Sequence, residues 1–220
     1  MKEELETWRK FLKENEGATG MQKYKLFCDM DGVLVDFEKG VLGYMNQRME
    51  ALAGGGEPVS REELKDAALA VEAMGGWFEV KPEHIKRPSE GGVAEVRDLM
   101  YTMVENNYEV WANLPWIPGG KELWNHIKQY NPEILTAPMG PESERGKETW
   151  CARELGSDIP VNITDNKTPW GQGDGKRQGL LIDDREKYRA QFKKGGGEVV
   201  PHTPGDAGPS IERLKTLGFQ

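Results

Sequence analysis

Cysteine, histidine and long apolar runs are what this chain has least of. Two cysteines, Cys28 and Cys151, stand among 220 residues. They are too few for a disulfide framework, and a reducing compartment is the simpler setting. Three histidines, His84, His126 and His202, are scattered with no HxH or HExxH spacing, which argues against zinc, and each is read as structural. No apolar run approaches the roughly 20 residues that cross a bilayer. Met1 to Lys10 carries charge of both signs and no apolar stretch, unlike a secretory signal, so a cytoplasmic location is expected. Positive charge is also in deficit: 29 Lys and Arg face 37 Asp and Glu, for a formal charge of −8. Neutralising a phosphate polymer takes clustered Lys and Arg, so nucleic-acid polymers and anionic membranes are disfavoured as partners. A small anion stays compatible if a metal supplies local positive charge.

Aromatic residues are plentiful, with seven Trp, six Tyr and six Phe, too many for a disordered acidic chain. At about 150 residues per domain, the length suggests one domain carrying an insertion. Leu5, Trp8, Phe11 and Leu12 place an amphipathic helix over 3–14, broken by Gly17 and Gly20. The run Tyr-Lys-Leu-Phe-Cys-Asp-Met-Asp-Gly from Tyr24 to Gly32 reads as a strand entering a loop. Helices are then expected over 38–53, 60–75 and 92–106, the second opened by a capping box of Ser60 and Glu63. After Pro115 to Gly120 the pattern changes to alternating elements: helix 119–130, strand 133–136, helix 141–155, strands 161–164 and 179–182, helix 185–193, strand 198–201 and helix 209–217. Stretches 171–179 and 195–197 are glycine-rich loops. Strand–helix alternation of this kind argues for a parallel sheet covered on both faces, interrupted after its first strand by a helical insertion.

Ligands of open parallel sheets bind beyond the carboxyl ends of the strands. The expected strands deliver Asp29 and Asp31, Thr136, the run Asp165-Asn166-Lys167, and the pair Asp183-Asp184 to that edge. Carboxylates gathered this closely raise one another's pKa unless cations hold them. A carboxylate site without His or Cys suits Mg²⁺. Two aspartates one residue apart on a strand-to-loop turn can divide phosphoryl transfer between them. One attacks phosphorus, and the other gives the leaving oxygen its proton and then takes one from water. A lysine, a threonine hydroxyl and the metal would stabilise the phosphoryl oxygens. Lys147 rivals Lys167 as that lysine, because Arg145 and Lys147 begin the helix after Thr136.

Asp29-Met30-Asp31-Gly32-Val33-Leu34-Val35-Asp36-Phe37, Leu135-Thr136, Lys167 and Leu181-Ile182-Asp183-Asp184 resemble, in order, the four motifs of the haloacid dehalogenase-like (HAD) phosphatases. Within that superfamily the chain resembles the 5′(3′)-deoxyribonucleotidases, the C-type pyrimidine 5′-nucleotidases. It shares their Asp-Met-Asp-Gly-Val-Leu-x-Asp-Phe run, a Pro-rich segment at Leu114 to Gly119, the turn Thr136-Ala137-Pro138 and the pair Lys167-Thr168. Ala137 departs from the serine expected there.

The resemblance implies an α/β fold, a Rossmann-like three-layer core with a parallel sheet over 21–38 and 112–220, and a helical cap over 39–111. Residues 1–20 form an added N-terminal segment. It implies Asp29 as nucleophile, Asp31 as general acid/base, and Thr136 and Lys167 on the phosphate. Asp29, Asp31 through its carbonyl, Asp183 and Asp184 would hold Mg²⁺, and Phe37 and Trp111 would line a base pocket. Trp77 and Phe78 are weaker aromatic candidates. The expected activity is hydrolysis of nucleoside, above all deoxyribonucleoside, monophosphates. The alternatives are a phosphatase of a sugar phosphate or other small metabolite, and a non-catalytic HAD-fold binding protein. The oligomeric state is left open, a homodimer included.

Overall fold

A computed structural model of the chain describes residues 20–54, 60–76, 79–86 and 88–220. The helix expected over 3–14, and Trp77 and Phe78, lie outside the described residues. The chain divides into two compact units. One comprises residues 20–35, Trp116–Ala137 and Ile159–Gln220; the other comprises Asp36–Pro115 and Pro138–Asp158.

The first unit holds one five-stranded, wholly parallel sheet. Its strands are β1 (Tyr24–Cys28), β2 (Glu133–Thr136), β3 (Val161–Ile163), β4 (Gln178–Asp183) and β5 (Glu198–Pro201), in the order β3-β2-β1-β4-β5. The chain walks from β1 outward through β2 to β3, then starts again on the other side of β1 with β4 and β5. Right-handed crossovers running in opposite directions lie on opposite faces. The Gly120–Ile127 and Glu186–Lys194 helices therefore cover different sides of the sheet. The central strands are apolar and buried towards their carboxyl ends, as a doubly covered sheet requires.

Side chains alternate between the two faces, and register decides which of them meet. Phe27 pairs with Leu181, and Leu181 with Val199. These three, with Leu135, form one buried cluster around Phe192 from the Glu186–Lys194 helix. Phe27 meets Phe192 edge-on at 5.9 Å and Trp170 at 5.7 Å, an arrangement that adds to plain area burial.

The second unit is helical. Its main elements are Phe37–Gly54, Arg61–Ala73, Ala94–Val104, Tyr108–Ala112 and Pro141–Glu154. Ser60 caps Arg61–Ala73, its hydroxyl accepting from the Glu63 amide at 3.0 Å, which is half of the expected capping box. Gly146 lets Pro141–Glu154 lie directly on Tyr108–Ala112, since a Cβ there would stand 2.4 Å from the Trp111 Cβ. Trp150 donates to the Leu114 carbonyl and Arg153 to that of Ala112, tying the same contact.

The expected helices and strands of 37–220 are all present, with ends moved by a residue or two, except that the helix expected over 119–130 is α-helical only over Gly120–Ile127 and ends in the 3₁₀ turn Lys128–Tyr130. The expectation lacked Pro82–Ile85, Tyr108–Ala112 and the 3₁₀ turn Thr168–Gln172. Elements of four or five residues are shorter than the window over which a 3.6-residue period can be read. Among the described residues no helix is long and apolar enough to cross a membrane. Phe192→Ala should lower unfolding free energy by about 3–5 kcal/mol, read from urea denaturation. A loss below about 1 kcal/mol would mean that the cluster repacks around the vacancy.

Candidate active site

Where the chain restarts beside β1, β1 and β4 are neighbours whose connections leave in opposite directions, which opens a crevice at their carboxyl ends. Asp29 follows β1, and its amide extends the pairing by donating to the Ile182 carbonyl of β4 at 2.9 Å. The chain then turns tightly, with the amides of Val33, Leu34 and Val35 all directed at the Met30 carbonyl. Gly32 takes φ +76°, and a Cβ built there would fall 2.6 Å from Asp184 Oδ2. Glycine is therefore required twice over, by backbone conformation and by the approach of the β4 acid.

Lys167 stands in the loop after β3. Local side chains shape that loop: Thr164 Oγ1 accepts from the Asn166 amide, and Asn166 Oδ1 accepts from that of Thr168. The Lys167 amide donates to Gln191 Oε1 at 3.0 Å. Its ammonium, wholly buried, lies 2.7 Å from Asp183 Oδ2 and 3.0 Å from Asp29 Oδ1, with the Tyr188 ring 4.6 Å away. The sequence-expected Asp29, Lys167, Asp183 and Asp184 are thus brought together. Thr136 ends β2, next to β1, and is buried.

Asp29, Asp183 and Asp184 each place a carboxylate oxygen within 4.8 Å of the others'. Asp183 is held at both oxygens, by Lys167 and by the Arg185 amide at 2.8 Å. Asp184 Oδ1 is buried without a hydrogen-bond partner. Burial pushes the Asp184 carboxyl up to about 7, and the charges of Asp29 and Asp183 add to the shift. Burial and then Asp29 carry Asp183 up to about 6 against the pull of Lys167. Burial disfavours the Lys167 ammonium, but Asp29 and Asp183 outweigh it and raise its pKa. Three clustered carboxylates, one ammonium and an unsatisfied carboxylate oxygen fit a hard divalent cation such as Mg²⁺. The carboxylate of Asp31, half-buried, is not one of the three.

The remaining candidates lie in the helical unit. Trp111 is 1% exposed and donates its indole N–H to the Val104 carbonyl. Phe37 stacks on it at 5.3 Å, and the buried Lys147 places Nζ 5.2 Å over its ring. Trp111 thus packs within the helical unit, and Phe37 is half-buried. The histidines make structural bonds: His84 accepts from the Lys81 amide, His126 meets the Phe219 carbonyl and His202 meets Ser210. None of them belongs to the carboxylate group. Sequence reasoning missed the support of this site, namely Tyr188, Arg189 and Gln191. They sit on an ordinary charged helix and carry no motif of their own.

Both Asp183 and Asp184 hold a proton more tightly folded than unfolded. Their contribution to the stability of the metal-free protein is therefore complete below the unfolded pKa near 4, and is lost as pH rises through about 6 to 7. In EDTA, Asp184→Asn should exceed wild type in unfolding free energy at pH 8 by about 2 kcal/mol, discounted for partial solvent screening. The gap should close as pH falls below about 4, and millimolar Mg²⁺ should raise the melting temperature of wild type more than that of the variant. A gap independent of pH would remove the carboxylate charge as its cause.

No protein-family model matches the chain, and no curated protein matches it in sequence. Solved structures do match it in shape. A HAD-superfamily hydrolase, subfamily IA, variant 1, from Geobacter sulfurreducens PCA has a TM-score of 0.50 at 17% identity, over 91% of this chain and 99% of its own. A hydrolase from Streptococcus pneumoniae TIGR4 gives 0.49 at 13% identity, over 89% and 98%. These likenesses do not reach down to the deoxyribonucleotidases. The five-stranded parallel sheet and the likeness to the Geobacter structure show that the chain has the Rossmann-like α/β fold of the HAD-superfamily hydrolases.

Proposed function

We propose that the chain is a divalent-metal-dependent phosphomonoesterase acting on a small phosphorylated metabolite. The observation that carries this reading is the buried Lys167 ammonium bridging Asp29 and Asp183, beside an Asp184 oxygen left without a partner. Asp29 is the nucleophile. Its carboxylate attacks phosphorus, and the ester oxygen leaves with a proton from Asp31, giving a phosphorylated Asp29. Asp31 then takes a proton from water, whose oxygen attacks the same phosphorus and releases phosphate and free Asp29. Lys167 orients the Asp29 carboxylate and offsets charge on the phosphoryl oxygens, and Thr136 donates a hydrogen bond to them. Asp29, Asp183, Asp184 and the Asp31 carbonyl would hold Mg²⁺, which supplies further neutralisation of the phosphoryl charge.

The substrate class follows from the aromatic side chains. A nucleoside base needs an open ring face for stacking, and Trp111 offers none. This burial counts against one of two expected platforms and supports a sugar phosphate or similar ester as the leading reading. Nucleoside monophosphates are the second reading, supported by the Asp29-to-Phe37 run and by Phe37 being only half-buried. A panel of hexose, pentose and nucleoside monophosphates, assayed for phosphate release with Mg²⁺, separates them. Sugar phosphates should lead in kcat/KM, and the opposite ranking would restore the nucleotide reading. Asp29→Asn should lose several orders of magnitude in kcat, and retained turnover would displace Asp29 as nucleophile. Phosphate binding by wild type without turnover of any ester would favour a non-catalytic binding role.

A further inference from the structure

The acid that ends β4 and the one that follows it are held very differently. Asp183 is gripped at both carboxylate oxygens, whereas Asp184 leaves Oδ1 without a donor. The aim of Asp184 is therefore set mainly by its own backbone. That backbone is clamped from outside the motif. One nitrogen of the Arg189 guanidinium, Nη1, donates both to the Asp183 carbonyl at 3.0 Å and to the Asp184 carbonyl. The Asp183 carbonyl also accepts from the His202 amide at 3.1 Å. The guanidinium is itself fixed. Glu186, one turn earlier on the same helix, accepts from Nη2 at 2.7 Å and from Nε at 3.2 Å, and the Arg189 side chain is only 14% exposed.

We propose that Arg189 is the positioning residue of the metal site: by bridging two consecutive carbonyls it fixes the peptide planes on either side of Asp184 and so the direction in which that carboxylate is presented. The inference rests on the metal-site reading above. Two consecutive carbonyls drawn to one nitrogen cannot rotate independently, and charge-assisted bonds of this kind are roughly twice as strong as neutral ones. The Arg189 guanidinium donates to main-chain carbonyls and to Glu186 rather than to the clustered carboxylates, so its effect is indirect and falls on affinity. Outer partners of metal ligands commonly change metal affinity ten- to a hundred-fold when removed. The same helix carries Gln191 and Tyr188, which meet the Lys167 amide and ammonium. Arg189 is thus the arm of that helix directed at the acids.

Isothermal titration with Mg²⁺ tests this on the full chain. Arg189→Met should weaken Mg²⁺ binding about ten-fold or more. Arg189→Lys, which keeps the charge but not the planar fork that Glu186 holds, should recover part of that loss. Hydrogen exchange of the metal-free variants gives a second readout. The Arg185 amide, bonded to Asp183 Oδ1, should exchange faster than in wild type, while the Leu181 amide inside β4 stays unchanged. Equal acceleration at both amides would mean general destabilisation and would overturn the positioning role. So would wild-type Mg²⁺ affinity in Arg189→Met, or in Arg189→Lys should the methionine variant fail to fold. If wild type itself takes no Mg²⁺, the metal-site reading is overturned and this proposal with it; if wild type binds and the variants bind equally well, only the proposal is overturned.

Discussion

The ammonium of Lys167 has no access to solvent, and it sits between Asp29 and Asp183 at ion-pair distance. A charge taken this far out of water is tolerated only when its partners are placed well enough to repay desolvation. The partners here come from two strands and the lysine from the loop after a third. Their meeting constrains the register of β1 against β4 and the length of the loop after β3. The balance is also incomplete. Three clustered carboxylates face one ammonium, and burial, reinforced by that surplus negative charge, raises the pKa values of Asp183 and Asp184. A second cation is the electrostatic counterpart of that surplus.

This dependence explains which parts of the molecule are legible in the amino-acid sequence. Strands of a doubly covered parallel sheet are short continuous apolar runs, so β1, β2, β4 and β5 stand out in the sequence, and Asp29, Thr136, Asp183 and Asp184 fall at or just beyond the ends of the first three, with Lys167 in the loop after β3. Chemistry tied to strand ends inherits the legibility of the strands. Lys167 and Lys147 are not separable in the sequence, since both are lysines placed after a strand. The difference lies in long-range geometry: Lys167 is bonded to two of the acids, while Lys147 lies over the Trp111 ring in the helical unit.

Trp111 marks the opposite case. A tryptophan has one spelling whether it packs a core or stacks on a ligand, and its neighbours in sequence do not distinguish the two. Gly146 on one side, the Val104 carbonyl for the indole N–H and Phe37 against the ring together absorb it into the helical unit. These partners come from three separate stretches of chain, and no local pattern encodes their convergence. Arg189 is hidden for a related reason. Its i,i+3 pairing with Glu186 looks like ordinary surface charge, and only the path of the β4 turn brings two carbonyls to its guanidinium.

Gly32 joins these features, because it is where the turn after β1 and the acids after β4 touch. A side chain at this position would have to adopt an unfavourable positive φ and displace the Asp184 carboxylate. Asp184 is accordingly held from two sides, by the bare Cα of Gly32 in front and by the Arg189-clamped backbone behind. Neither contact binds its open oxygen. An acid kept in place without being neutralised retains the capacity to take a cation. That asymmetry between Asp183, bonded at both oxygens, and Asp184, with Oδ1 left open, is what the proposed metal site has and a structural salt-bridge cluster of the same residue types would lack.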